Sequence, residues 1–384
     1  MNLNLSKAQE EIKKAAWEFA RGKFDKEMII EEAKNQHLPE EILKKAGDLG
    51  FIGIHFDESF DGAGMGLFEY VLVCETFCRR DSTLGQALMF SAYAAECLLR
   101  FDGGGLCEKF LPPVAGGRMI STGAFLEPEP AAEGGGLRTT ARKSPSDWHI
   151  NGIKSFVPFG DRADFYVLTC ATEPDAGKSG DGISMLLVES DREGVQAGRR
   201  LQKLGGRMVP FCEVRFENVA VPLSNLIGAE GKGRRQLERF FMENRIQVAA
   251  MALGTAQGAF DRALAYVKDR AQFGKKLAEF PETRHKLADM AAEIESARFL
   301  TYSAAARFDE GKATARDAAT AKLVAARSAM SAADQAVQLL GGYGYMTEYE
   351  VEHFYRDAKH AEIFQGAPAL QRDLIADAVL GARK

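Results

Sequence analysis

Between Met119 and Val219 the chain changes its hydrophobic period, and that change constrains the fold more than any other feature. Seven short runs there, ISTGAFL, LRTTARK, DWHI, IKSFV, DFYVLTCA, ISMLLVES and FCEVRFENV, are rich in β-branched and aromatic residues and are separated by turn residues, as strands are. On both sides the apolar residues recur at spacings of three and four, as on buried helices. Upstream lie FEYVLVCETFCRR and ALMFSAYAAECLLRF; downstream lie three long Ala-rich stretches starting at Arg234, Glu282 and Asp317. Helices and sheets each need a layer against which to bury their apolar face. The expected fold is therefore α+β in three parts: an N-terminal helical domain over 1–118, a central, mostly antiparallel β domain over 119–228, and a C-terminal four-helix-bundle domain over 229–384. With 384 residues, 46% of them hydrophobic, the chain is long and apolar enough to fill such cores.

Local signals sharpen the outline. Ser6 and Gln9 read as a capping box for a helix through Ala15 and Phe19. Pro39 suits the first turn of a helix that Gly50 closes. Asn151-Gly152, between WHI and IKSFV, reads as a hairpin turn, because both residues tolerate positive φ. The small residues of the C-terminal stretches allow helices to approach closely in an antiparallel bundle.

Several classes of function are disfavoured. A net charge of −5, from 49 basic and 54 acidic residues, argues against a nucleic-acid footprint. No run reaches the eighteen apolar residues of a membrane span. The opening MNLNLSKAQEE lacks the basic-then-apolar pattern of a secretory signal, so a cytoplasmic protein is expected. Cys74, Cys78, Cys97, Cys107, Cys170 and Cys212 include no CxxC pair and are expected as buried thiols rather than disulfides or zinc ligands. Glu282-x-x-His285 and Glu350-x-x-His353 have the spacing of di-iron bundle ligands. Such a site also needs glutamates from two further helices, and matches this short arise easily by chance, so no metal is expected. No GxGxxG follows a strand. His149 and His360 stand alone and are expected in structural or surface roles.

The stretch from Gln338 to Arg372 joins a glycine-tyrosine turn, a charged helix and a second glycine turn at Gln365-Gly366-Ala367. Upstream, Arg270-Ala-Gln-Phe273-Gly274 places a planar guanidinium, able to pair bidentately with a phosphate, beside a glycine. With Gln338-Leu-Leu-Gly341-Gly342 and the order helix, sheet, helix bundle, these motifs resemble the acyl-CoA dehydrogenase family, flavoproteins that oxidise the α,β bond of an acyl-CoA thioester. The resemblance covers essentially the whole chain. It implies an FAD site shared between subunits of a homo- or hetero-oligomer, a dimer or tetramer. Arg270 and Phe273 would meet a neighbour's pyrophosphate, and Gln338 and Gly342 the adenosine side. It also implies an acyl-CoA substrate, and electron-transferring flavoprotein as acceptor where the flavin turns over.

The half of the site that a subunit offers to its own flavin departs from the family pattern. The family loop resembles Thr-Glu-Pro-Gly-Ala-Gly-Ser-Asp; here it is Leu126-Glu127-Pro128-Glu129-Pro130-Ala131-Ala132-Glu133. The hydroxyls expected at Leu126 and Ala132 are missing, and Glu129 replaces a glycine. Phe156-Val157-Pro158 stands where the family has a tryptophan against the flavin ring and a threonine near N5. Phe156 keeps the aromatic face, while Pro158 offers neither hydroxyl nor N–H. Ala367 and Ala369 replace polar residues that bind the nucleotide, and Pro281 replaces a common glutamine. The family's base is a glutamate at the position of Gln365, and an amide is not basic at neutral pH. In members whose base lies on an earlier helix, before an arginine, the position is Asn244, ahead of Arg245. Glu243 is one residue, about 100° of helix, away and is expected to face solvent. A missing general base typically costs about 10²–10⁴ in rate.

Three readings stay open. The chain is a subunit with a degenerate own site that completes a partner's FAD site; or a homomeric FAD enzyme with altered chemistry, such as base-independent decarboxylation or desulfination, or dehydrogenation with a relocated base; or a non-catalytic acyl-CoA-binding protein.

Overall fold

The fold is described from a computed structural model over residues 5–102, 105–129, 137–173 and 182–381. The N-terminal part holds α1 (Lys7–Lys23), α2 (Lys26–Lys34), α3 (Glu40–Asp48), α4 (Leu67–Arg80), α5 (Ser82–Phe90), α6 (Ala95–Phe101) and α7 (Leu106–Ala115). The capping box at α1 is formed: Ser6 accepts from the Gln9 amide, and the Gln9 side chain accepts from the Ser6 N–H. Phe19, Phe24, Phe51 and Phe77 make an aromatic core with ring centroids 5.4 to 6.2 Å apart. α4 is buried almost all round because α1, α8 and α9 pack on it, which is why its sequence lacks a polar stripe.

The central strands are β1 (Ser121–Ala124), β2 (Thr140–Lys143), β3 (Asp147–Pro158), β4 (Phe165–Ala171), β5 (Ile183–Glu189), β6 (Val195–Ala197) and β7 (Phe211–Pro222). The sheet order is β1-β4-β2-β3-β7-β6, with β5 added to β4. β1 and β2 meet β4 in parallel; the remaining pairings are antiparallel.

The hairpin expected at Asn151-Gly152 is not there. β3 runs straight through both residues, paired with β2 on one side and β7 on the other. The two flanking strands supply backbone partners that a local turn would forfeit. The chain reverses instead at 144–146, where the Ser144 N–H and hydroxyl both donate to the Asp147 carbonyl. Gly152 serves close packing: a Cβ there would fall 2.4 Å from Thr139 Oγ1. The register shifts between Ile150 and Gly152, and again between Lys154 and Val157. Phe156, within the second shift, and Phe159, just past it, take φ of 51° and 50°, left-handed values unusual for bulky residues.

The C-terminal part comprises α8 (Gly233–Asp269), the hairpin β8 (Ala271–Gln272) and β9 (Lys275–Lys276), α9 (Pro281–Asp309), α10 (Ala315–Leu340), α11 (Val351–Ile363) and α12 (Pro368–Leu380). α8 packs against α9, α10 and α11. The buried alanines of α10, among them Ala325, Ala329 and Ala333, let it lie close along α8. All six cysteines are free and buried. Among the described residues no helix is long and apolar enough to cross a membrane.

Candidate functional site

The three parts meet around a cavity of about 550 Å³. Gln365 stands on its wall, at the turn between α11 and α12, with φ of 56° followed by Gly366 at 96°. Two side chains hold this turn. Gln371 Nε2 donates to the carbonyls of Gln365 (3.0 Å) and Gly366 (2.8 Å). Lys322 Nζ, from α10, donates to those of Glu362 and Gly366, both at 2.8 Å. Burial lowers the Lys322 pKa to about 8.

The Gln365 amide donates to the Tyr93 hydroxyl at 2.8 Å. Tyr93 also lines the cavity, and its ring packs among Phe90, Phe125, Phe240 and Phe364 at centroid distances of 5.5 to 6.2 Å. Burial lifts the Tyr93 hydroxyl well above its ordinary range, so it is a neutral donor at physiological pH. Its proton has no acceptor among the described residues. The pair offers hydrogen-bonding groups and no base.

Glu243 corrects the sequence-based expectation. It is buried, not solvent-facing, and Arg100 of α6 binds it through two hydrogen bonds of 2.9 and 3.1 Å. α6 covers this face of α8, which the local charge pattern does not reveal. Burial pushes the Glu243 carboxyl above the usual carboxylate range, with Arg100 opposing. It is not among the residues lining the cavity. Asn244 is likewise buried and donates to Gln247 Oε1 at 2.6 Å. Arg245, next in sequence, does line the cavity.

Four of the departures read from the sequence, Leu126, Phe156, Pro158 and Gln365, line the cavity. Leu126 and Phe156 present large exposed apolar surfaces at the cavity rim, and Pro158 lines the wall. Glu127 is turned inward: its carboxylate binds Lys154 Nζ at 2.8 Å and the N–H groups of Arg138 and Thr139 at 2.7 and 3.0 Å. Burial works against that charge, but Lys154 and the hydrogen bonds hold the carboxyl below its ordinary range. Glu129 pairs with Arg138 on the surface. Ala132 lies outside the described residues. Ala367 caps α12 and Ala369 lies on its surface; Pro281 is the first residue of α9.

The retained motifs come together on a different face. Arg270 ends α8, and its guanidinium sits 5.9 Å from the centre of the Tyr343 ring in the Gly341–Tyr345 turn. Arg270, Tyr266, Tyr343 and Tyr349 line one hollow of about 420 Å³. Arg270 makes no ion pair among the described residues. Phe273, at the tip of the β8–β9 hairpin, is 90% exposed, and Gln338 is exposed at the end of α10. A Cβ added at Gly342 would meet nothing within 4 Å, so the chain's own packing does not require glycine there.

The ExxH pairs do not converge. Glu350 pairs with Arg262 and His353 with Asp81, Glu282 and His285 are exposed, and no metal-binding cluster exists among the described residues. His149 is partly buried on β3. His360 lines the cavity, its Nδ1 3.0 Å from Gln86 Oε1. Tyr93 and Gln371 were not singled out in the sequence because they sit in ordinary helical patterns. Lys322 left a faint signal, a lone lysine on the alanine face of α10.

The FAD that the resemblance implies can be tested against these surfaces. The outward face fits: a guanidinium without an ion pair among the described residues, an exposed aromatic ring and a glycine open to an outside group suit a nucleotide held across a subunit boundary. The cavity side fits poorly, offering Leu126 and Pro158 where polar donors are needed.

Comparisons with known proteins agree with the architecture. The family models for the N-terminal, middle and C-terminal domains of acyl-CoA dehydrogenases match residues 6–118, 124–219 and 231–380. A short-chain-specific acyl-CoA dehydrogenase of Clostridium acetobutylicum is 38% identical, with 98% of each chain covered. The CarC subunit of the caffeyl-CoA reductase-Etf complex of Acetobacterium woodii is 33% identical, covering 96% of this chain and 97% of that one. The structure of butyryl-CoA dehydrogenase from Megasphaera elsdenii superposes with a TM-score of 0.93 at 33% identity, over 99% of this chain and 100% of the other. At this identity and coverage the likeness extends beyond shared fold, and the chain belongs to the acyl-CoA dehydrogenase family of FAD-dependent oxidoreductases.

Proposed function

We propose that this chain is a subunit of an acyl-CoA dehydrogenase-type oligomer that completes the FAD site of a partner subunit, while its own flavin site is degenerate. The observation that carries the reading is the asymmetry between the two faces. Arg270, Phe273, Gln338 and Gly342 are exposed, and Arg270 makes no ion pair among the described residues, whereas the cavity carries Leu126, Pro158 and Gln365 where a flavin and a base would be served. FAD supplies hydride acceptance at N5 when bound; this chain's contribution is to hold its phosphates with Arg270. The cavity retains the room and apolar walls for an acyl-CoA thioester. Electron-transferring flavoprotein is the acceptor of the assembled complex, in keeping with the relative named as part of an Etf complex.

The test is the visible spectrum and released flavin of the purified chain, with and without added FAD. Little flavin is expected from the chain alone and more from a complex with a flavin-bearing partner. A yellow preparation with one FAD per chain ends this reading. It would favour instead a homomeric FAD enzyme whose chemistry needs no base, such as decarboxylation or desulfination. The neutral Gln365–Tyr93 pair on an intact cavity is the observation in that reading's favour.

A further inference from the structure

Arg245 is only 7% exposed and lines the cavity, yet it has no ion pair or hydrogen bond to its side chain among the described residues, and its Nε is buried without a partner. A buried charge without a counter-charge is costly. Burial is the sole cause acting on this guanidinium, and it works against the charge; no nearby carboxylate compensates. Among the described residues that line the cavity no other carries a formal charge: His360 is held neutral, and the rest are apolar, hydroxyl, amide or glycine. Lys322, behind the Gln365 turn, adds further positive potential. Both positions where the resemblance would place a carboxylate near this arginine are amides here, Asn244 and Gln365. Among the described residues the cavity therefore has a fixed cation and no anion to accompany it.

We propose that the missing anion belongs to the ligand: the cavity takes an acyl thioester whose acyl chain carries a carboxylate, bound by Arg245, with the Tyr93 hydroxyl free to donate to a second oxygen. The apolar part of the chain lies against the aromatic group around Tyr93. Gln365 fits this assignment, because its amide tolerates a nearby carboxylate that a glutamate would repel. The inference rests on the acyl-thioester reading of the cavity but not on where the flavin is held.

The experiment is calorimetric titration of the purified full chain with succinyl-CoA and glutaryl-CoA against butyryl-CoA and valeryl-CoA, their neutral counterparts. The carboxylated thioesters are expected to bind roughly tenfold or more tightly, as a charge-assisted pair in a dry site allows. Arg245→Gln should abolish the preference, Arg245→Lys should retain part of it, and Gln365→Glu should reduce it. Equal or weaker binding of the carboxylated thioesters overturns the proposal while leaving the thioester reading intact. If no thioester binds, that reading fails, and free glutarate then decides: Arg245-dependent binding keeps the anion site, and no binding overturns it too. Should the Arg245 variants fail to fold, the wild-type comparison of matched thioesters still decides.

Discussion

The Lys322 ammonium donates to the carbonyls of Glu362 and Gly366 at 2.8 Å each, so a single buried side chain of α10 ties the end of α11 to the turn that presents Gln365. Its charge also suits the negative end of that helix. Lys322→Met keeps the length and removes both donors. It is expected to lower stability by about 2 kcal/mol in urea unfolding, in the range of lost charge-assisted hydrogen bonds. Amide exchange at Phe364 to Gly366 should quicken more than at the centre of α10, where packing is unchanged.

Glu243 and Arg100 should behave as a unit. Glu243→Gln leaves a largely buried guanidinium without its anion and is expected to cost about 2–3 kcal/mol, somewhat below a fully buried pair because Arg100 keeps some solvent. The double variant Arg100→Met with Glu243→Leu should lose much less than the sum of the two single variants. Denaturant unfolding of the four proteins measures this coupling.

His353 and His360 predict opposite pH dependence. For His353, burial opposes the charge, but the Asp81 carboxylate at 3.0 Å outweighs it and raises the pKa above 6.5. Its stabilisation is complete below the unfolded value and is lost as pH rises through the raised folded value. His360 is depressed to about 3 by burial and by the Lys203 and Lys322 charges. The unfolded chain takes up that proton below 6.5 while the folded chain does not, so stability falls between 6.5 and about 3. Thermal midpoints across pH should therefore flatten on the alkaline side in His353→Gln and on the acid side in His360→Gln.

Arg270→Ala and Phe273→Ala should leave the chain's own thermal midpoint nearly unchanged, since exposed substitutions usually fall within about 0.5 kcal/mol. Co-purified with a flavin-bearing partner, the same variants should lower the FAD content of the complex. Unaltered flavin content would remove both residues from the shared site.

The fold was legible because period and punctuation agree over long stretches: β-branched runs mark the sheet, alanine-rich stretches the bundle, and Ser6 with Gln9 the first cap. Asn151-Gly152 misled because turn chemistry is local, whereas the pairing of β3 with β2 and β7 is not. Glu243 misled for the same reason, its partner Arg100 lying 143 residues earlier. Gln365, Arg270 and Phe273 could be singled out because motifs carry them. Tyr93, Lys322 and the bare charge of Arg245 are properties of packing, and nothing in a one-dimensional pattern separates a lysine clamped on two carbonyls from one in water.

Phe156, Phe159 and Gln365 all hold left-handed backbone angles without being glycine, and two of them form the cavity wall. Each such residue stores about 1–3 kcal/mol that the surrounding packing must restrain. The restraint comes from β3 pairing and from the Lys322 and Gln371 clamps. The cavity wall is thus a sprung frame held by contacts within the chain, and a ligand meets a wall that resists reshaping. Association should follow a single fast phase with no slow rearrangement behind it, and whatever selectivity the pocket has is exercised at the first encounter.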